Sequence, residues 1–321
     1  MALKDKVLEI LEENRGRSIS GNKMAETLGM TRSAVWKAVT QLREEGYTIH
    51  AVTNRGYCLT SENDLLNEPS IKSHLETVEY GRKMDVFKTI DSTNTFAKKL
   101  AEIGTANGHT IIAEQQTEGR GRHGRSFHSP GNQGIYMSVI VRPPFDIKQT
   151  ANITACSAVA VAEAIEIVTG LECGIKWVND IYIGGRKVCG ILTEASINVE
   201  QGCLDYAVIG IGLNVNNGFF PKGLDDKATS LRIEKGETVN RSRLCAKILD
   251  CLEARITTMN DPEFMNEYRR RSILTGKIID IDTGDSIERF ECKGIDDEGR
   301  LIVVGSDKKE RHLTNGTVIM K

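Results

Sequence analysis

The chain has 321 residues, 40% hydrophobic and 27% charged, with a formal net charge of -2. That length suits two or three domains with a large core, and the near-neutral balance excludes whole-surface attraction to nucleic acid, leaving only local charge arrangements for any DNA contact. The eight cysteines form no C-x-x-C pair and the six histidines lack metal-ligand spacing, which argues against structural zinc and a disulfide framework; with no secretory pattern and no run of ~18 apolar residues, no membrane association and a reduced, cytoplasmic setting are expected.

Leu3, Val7, Ile10 and Leu11 recur at helical spacing, predicting a first helix that leaves Lys4, Glu9 and Glu12 outside. Ser20 can cap a second helix carrying Met24, Ala25 and Leu28, Gly29 can stop it, and Thr31 can cap a third. In that third helix Val35, Ala38, Val39 and Leu42 share one face, with Arg32, Ser33 and Lys37 toward the front. Tyr47 to Val52 and Tyr57 to Leu59 alternate like strands around the turn Thr53-Asn54-Arg55-Gly56. The order is that of a winged helix-turn-helix over residues 1–65. Acidic and basic residues balance there, but Arg32, Lys37, Arg43 and Arg55 outnumber Glu44 and Glu45 between Thr31 and Tyr57. Thr31, Arg32, Ser33, Lys37 and Arg55 are therefore the candidate DNA contacts, although a three-helix interaction module that touches no DNA fits the same pattern.

The polar stretch Ser61 to Ser73, with Pro69, reads as a connector into a main body at 74–270. There a strand over Asp85 to Ile90 leads through Asp91-Ser92-Thr93-Asn94 into a helix reaching Ile103. The three polar residues suit either simple helix capping or a polar ligand at the helix start. Strands over Thr110 to Gln116 and Gly134 to Arg142 enclose Gly119-Arg120-Gly121-Arg122-His123-Gly124-Arg125. Glycine lets the backbone approach a ligand and arginine forks fit phosphate and carboxylate, so the loop is an anion-holding candidate; a solvated surface loop or an RNA contact is the alternative. A buried helix over Thr154 to Val168 precedes Lys176-Trp177-Val178-Asn179-Asp180, and strands Asp180 to Ile183 and Val188 to Ser196 flank Gly184-Gly185-Arg186-Lys187. Lys187 then begins a return strand, either as an exposed turn lysine or as a cation aimed into a pocket. The strand Tyr206 to Val215 carries Gly210, Gly212 and Asn214, which permit close approach of a ligand or another backbone. No dinucleotide fingerprint or P-loop occurs.

Helical patterns over Arg241 to Met259 and Pro262 to Arg271 give way to short strands at Lys277 to Asp282, Ile287 to Gly294, Leu301 to Val304 and Val318 to Met320. They suit a small antiparallel barrel over residues 271–321 with a docking or stabilising role.

The ordered set Thr31 to Gly46, Arg55-Gly56-Tyr57, Asp91 to Asn94, Gln115-Gln116, Gly119 to Arg125, Lys176 to Asp180, Arg186-Lys187, Gly190-Ile191 and Gly210 to Asn214 resembles the bifunctional biotin protein ligases that also repress biotin operons. The resemblance runs nearly end to end and implies an α+β chain: winged helix, mixed-sheet catalytic domain of the biotin/lipoate ligase type, and SH3-like barrel. It implies a biotin pocket of Ser92, Thr93, Asn94, Gln116, Arg120, Gly121, Arg122, Lys187, Gly190 and Leu192. It further implies a nucleotide site of Arg122, Phe127, Asn179, Asp180, Lys187 and Asn214, with Arg120, Arg122 and Lys187 acting in catalysis. Where the family usually has Pro and Trp, this chain has Val178 and Phe127. Implied substrates and partners are biotin, ATP with Mg2+, a carboxylase carrier domain and operator DNA, with a homodimer forming on adenylate binding. A lipoate ligase, or a ligand-sensing regulator without catalysis, would be the alternatives.

Overall fold

The computed structural model describes residues 2–60, 64–142, 150–198, 203–259, 261, 263–282 and 286–319. Helices α1 (Leu3–Glu13), α2 (Gly21–Leu28) and α3 (Arg32–Glu44) precede a hairpin of β1 (Ile49–Val52) and β2 (Gly56–Leu59). The Ser20 and Thr31 hydroxyls accept bonds from the Lys23 and Ala34 amides at 3.1 and 3.2 Å, and Gly29 ends α2 at φ +64°. Each cap contributes about 1 kcal/mol. The apolar faces expected of the three helices close around one small core with Tyr47, Ile49 and Leu59. Two expectations change. Glu12 is only 4% exposed, because Arg15 pairs with it at 2.7 Å and the Ser70 hydroxyl donates to it. Arg43 donates through Nε to the Ile49 carbonyl at 2.8 Å, bracing the hairpin instead of facing outward with the other cations.

Ser70 belongs to α4 (Glu68–Lys72), inside the stretch read as a connector. Asn67 caps it through a 2.9 Å bond from the Ser70 amide, and Pro69 occupies its first turn, where no N–H is missed. Leu66, Ile71 and Leu75 sink into the central core, so chain packing begins before residue 74; Ser61, Glu62 and Asn63 lie outside the described residues.

The central sheet has the order β3-β4-β5-β9-β8-β7-β6. Its strands are β3 (Met84–Phe87), β4 (Thr110–Ala113), β5 (Gly134–Val141), β6 (Gly174–Lys176), β7 (Asp180–Ile183), β8 (Arg186–Asn198) and β9 (Cys203–Asn214). Only β3 and β4 run parallel. Strand alternation splits β5: Ile135, Met137, Val139 and Val141 enter the main core with α6 (Thr150–Thr169) and α8 (Arg241–Thr257), whereas Ile140 packs with α5 (Thr93–Glu102) on the opposite face. Asn152–Thr169 is long and apolar enough to cross a membrane by length and composition, but it holds no unbroken apolar run of that length; here it is a core helix, with Ala155, Ala158, Val159, Ala160, Val161, Ala162 and Ala164 buried and Val168 only partly so.

After α7 (Leu231–Lys235), α8 and α9 (Glu263–Arg270) comes an antiparallel sheet ordered β13-β12-β11-β10-β14. These strands are β10 (Ile278–Asp282), β11 (Ile287–Ile295), β12 (Leu301–Val304), β13 (Glu310–Leu313) and β14 (Thr317–Ile319). Pro262 and Met320, included in the expected elements, fall outside the described residues. Ile279, Ile281, Phe290 and Val303 continue the central core, so this sheet is fused to the main body.

Candidate active site

The pocket floor follows from strand register. Ser138 faces Gly210 and Tyr136 faces Gly212 across β5 and β9; Gly190 and Leu192 face Gly212 and Gly210 across β8 and β9. Directly opposed residues share a sheet face, so all of these lie on the α5 side; the three glycines and Leu192 line the pocket there, while Tyr136 and Ser138 are fully buried. The glycines make room for protein side chains: a Cβ at Gly210 would lie 2.1 Å from Asn94 Oδ1, and one at Gly212 would lie 2.7 Å from the Phe127 ring.

At one end sits the helix-start trio. Ser92 caps α5 by accepting from the Thr95 amide at 3.4 Å. Thr93 and Asn94 do more than cap. Gln116 Oε1 accepts from the Thr93 amide at 2.9 Å and its hydroxyl at 3.1 Å, while the Ser138 hydroxyl lies 2.8 Å from Thr93 Oγ1 and 2.6 Å from Asn94 Oδ1. Asn94 Nδ2 donates to Glu194 at 3.1 Å and to the Leu192 carbonyl at 3.3 Å. Although burial pushes the Glu194 carboxyl up, the Asn94 amide and Lys98 hold it below its usual range. Such a network presents fixed donors and acceptors to a small polar ring.

The glycine-arginine loop, which also lines the pocket, folds back on itself. The Gly121 amide donates to the Arg125 carbonyl at 2.7 Å and the Phe127 amide to Gly119 at 2.8 Å. Arg120 is half exposed and 3.8 Å from Glu194. Arg122 donates to Asn179 Oδ1 at 3.3 Å, and Asn179 donates to the Ile191 carbonyl at 2.6 Å. Burial pulls the Arg122 guanidinium below its ordinary value, with Asp180 countering. Lys187, across the β7–β8 turn, pairs with Asp180 at 2.6 Å. The peptide between Trp177 and Val178 is cis, and the Tyr268 hydroxyl donates to the Val178 carbonyl at 2.9 Å.

Ser92, Thr93, Asn94, Gln116, Arg120, Gly121, Arg122, Phe127, Asn179, Asp180, Lys187, Gly190 and Leu192 thus line one pocket. Asn214 is not in its wall; it is buried at the end of β9 opposite Gly134. Sequence reading gave no role to Ser138 or Glu194, whose chemistry shows only once β5, β8 and α5 are adjacent. Lys176 also lines the pocket, its ammonium pulled down by burial against the pull of Asp180. So do Gly316, Thr317 and Val318 from the carboxyl-terminal sheet, whose last turn carried no chemical signal. Thr31, Arg32, Ser33, Lys37 and Arg55 are all exposed on the winged helix.

Residues 86–214 match the model of the Biotin/lipoate A/B protein ligase family, and residues 4–58 match a helix-turn-helix domain. The bifunctional ligase/repressor BirA of Bacillus spizizenii is 39% identical over 79% of this chain and 78% of its own length. The Escherichia coli protein of the same name is 28% identical over 90% and 88%. The Aquifex aeolicus biotin protein ligase solved with biotin and ATP superposes with a TM-score of 0.64 at 24% identity, over 75% of this chain and all of that one, and shares its fold.

Proposed function

The chain belongs to the bifunctional ligase/repressor branch of the biotin protein ligases, and from that premise we propose that its pocket activates biotin with ATP and passes it to a lysine of a carboxylase carrier domain. The observation that carries this reading is that Arg120, Arg122 and Lys187 line the same pocket as the Thr93–Asn94–Gln116 polar network.

The ureido ring of biotin would meet Ser92, Thr93, Asn94 and Gln116, with Gly190 and Leu192 as walls. Its carboxylate would then point toward Arg120, Gly121, Arg122 and Lys187. The nucleotide would lie along Arg122, Asn179, Asp180 and Lys187 with its base toward Phe127, a ring that supplies an aromatic face without an indole donor. Two anions must meet. The biotin carboxylate oxygen bonds to the α-phosphorus as pyrophosphate departs; the carrier's amine next bonds to the acyl carbon as AMP departs, its surplus proton passing to solvent. Arg120, Arg122 and Lys187 screen the repulsion in the first step and hold the mixed anhydride for the second.

Mg2+ fits the donor set. Asp180 is a carboxylate among cations, and Mg2+ is commonly held by one or two carboxylates plus substrate phosphates instead of an all-protein cage; no cluster of three or more candidate ligands occurs among the described residues. Bound there with Asp180, it would neutralise phosphate charge. Ordering of the loop by the adenylate would favour a homodimer whose paired winged helices read a two-fold symmetric operator.

The test is incubation with ATP, magnesium, a carrier domain and either biotin or lipoate. Biotin-only transfer is expected, and lipoate transfer or none overturns the reading. Sedimentation with and without biotin and ATP tests the dimer: equal association in both contradicts it.

A further inference from the structure

We propose that Trp36 is a sequence-reading residue of the winged helix, its indole resting on thymine methyl groups in the major groove of duplex DNA. The proposal deepens the repressor reading and rests on it.

The chain has two tryptophans. Trp177 is 4% exposed and donates its indole N–H to the Gly299 carbonyl at 2.9 Å. Trp36 is 55% exposed, although an indole is among the costliest surfaces to leave in water. Its position on α3 explains what could cover it. Val35, Ala38, Val39 and Leu42 form the buried face; Arg32, Trp36 and Thr40 follow one another at i, i+4 spacing along its flank, next to the row of Ser33 and Lys37 that lies opposite the buried face. Thr40 directs its hydroxyl to the Trp36 carbonyl at 3.0 Å, so it leaves the ring uncovered.

Charge selects the occupant. Arg32 and Lys37 are exposed on this helix and Arg55 in the turn of the hairpin, and Glu45 is drawn off by Lys4 at 2.6 Å. A large apolar ring rimmed by cations fits a groove whose walls are phosphates and whose floor carries thymine methyls. The arginines and lysine supply position and sequence-independent affinity; the indole, with no charge, can contribute only where it meets a base edge.

The experiment uses a randomised duplex pool from which the full chain, with biotin and magnesium-ATP, selects its site. Trp36→Ala is expected to bind the selected duplex about tenfold more weakly while binding a scrambled duplex within about twofold of the unmodified protein, and Trp36→Phe to fall between them. Deoxyuridine in place of one thymine in each half-site, removing only the methyl, should weaken the unmodified protein several-fold and leave Trp36→Ala unchanged. Equal discrimination by Trp36→Ala, a parallel loss on selected and scrambled duplexes, or indifference to deoxyuridine at every thymine would each overturn the proposal. If the unmodified protein selects no sequence, the repressor reading fails first and this inference fails with it.

Discussion

Arg241 and Arg122 are two arginines of one domain set to opposite uses. Arg241, fully buried at the start of α8, donates to Asp64 Oδ2 at 2.6 Å, to Glu114 Oε2 at 2.6 Å, to the Gly134 carbonyl at 3.0 Å and to the Asp64 carbonyl. Asp64 comes from the segment after the winged helix and Glu114 from the end of β4, and Glu114 also accepts from the Leu66 amide at 2.8 Å, so the cluster clips the incoming chain to the central sheet. Arg122 has a neutral amide oxygen at 3.3 Å and lies beside Arg120 and Lys187 in an open pocket. A buried ion cluster that satisfies itself holds shape; a half-buried cluster with donors to spare is, in the function proposed above, the part that meets an anion.

The sharpest way to break this comparison is Arg241→Met. It leaves Asp64 and Glu114 facing each other without their cation and should cost about 3–5 kcal/mol of stability in denaturant unfolding; an unchanged midpoint would mean that the cluster holds little. Arg122→Ala is expected to do the reverse, lowering biotin-dependent adenylate formation about 100-fold or more while stability stays within about 0.5 kcal/mol. Equal losses of stability in the two variants would erase the distinction. Gly210→Ala tests whether the polar network is as finely set as the charged cluster. Its Cβ would displace Asn94, so calorimetry should show biotin binding weakened about tenfold, at an overpacking cost of about 1–3 kcal/mol; wild-type affinity would mean that Asn94 is not held for biotin.

The smallest expected effect concerns a second structural arginine. Arg271 donates to Glu166 at 2.6 and 2.8 Å and to Glu267 at 2.8 Å. Bonding from Arg270, helped by Arg271, draws the Glu267 carboxyl from 4.5 down to about 2. A carboxylate depressed on folding stabilises above its unfolded value, and that contribution is lost as pH falls from about 4.5 through about 2. Glu267→Gln should therefore flatten the decline of thermal stability across this window; an identical decline in the variant would count against it.

What could be read from the sequence was local chemistry. The Gly119–Arg125 loop, Ser92 to Asn94 and the Lys187 turn each carry their chemical signal in a few adjacent residues, and the fold brings them to one pocket. Readings failed where a distant partner decides. Glu12 has the pattern of a solvent-facing helix residue, and only Arg15 with Ser70 of α4 explains its burial. Ser138 and Glu194 are ordinary strand residues until Asn94 lies between them. The polar stretch around Pro69 reads as a connector although Asn67, two residues before it, marks a helix start; Ser230 and Gly236 likewise bracket α7, which periodicity over five residues is too short to reveal.

The central claim is that pocket cations with donors to spare bring the carboxylate and the α-phosphate together. Biotin-dependent exchange of labelled pyrophosphate into ATP by Lys187→Met measures this directly, because it needs neither carrier domain nor DNA. A fall of about 100-fold or more with the unfolding midpoint preserved is the predicted result; near-normal exchange by the folded variant would contradict the account.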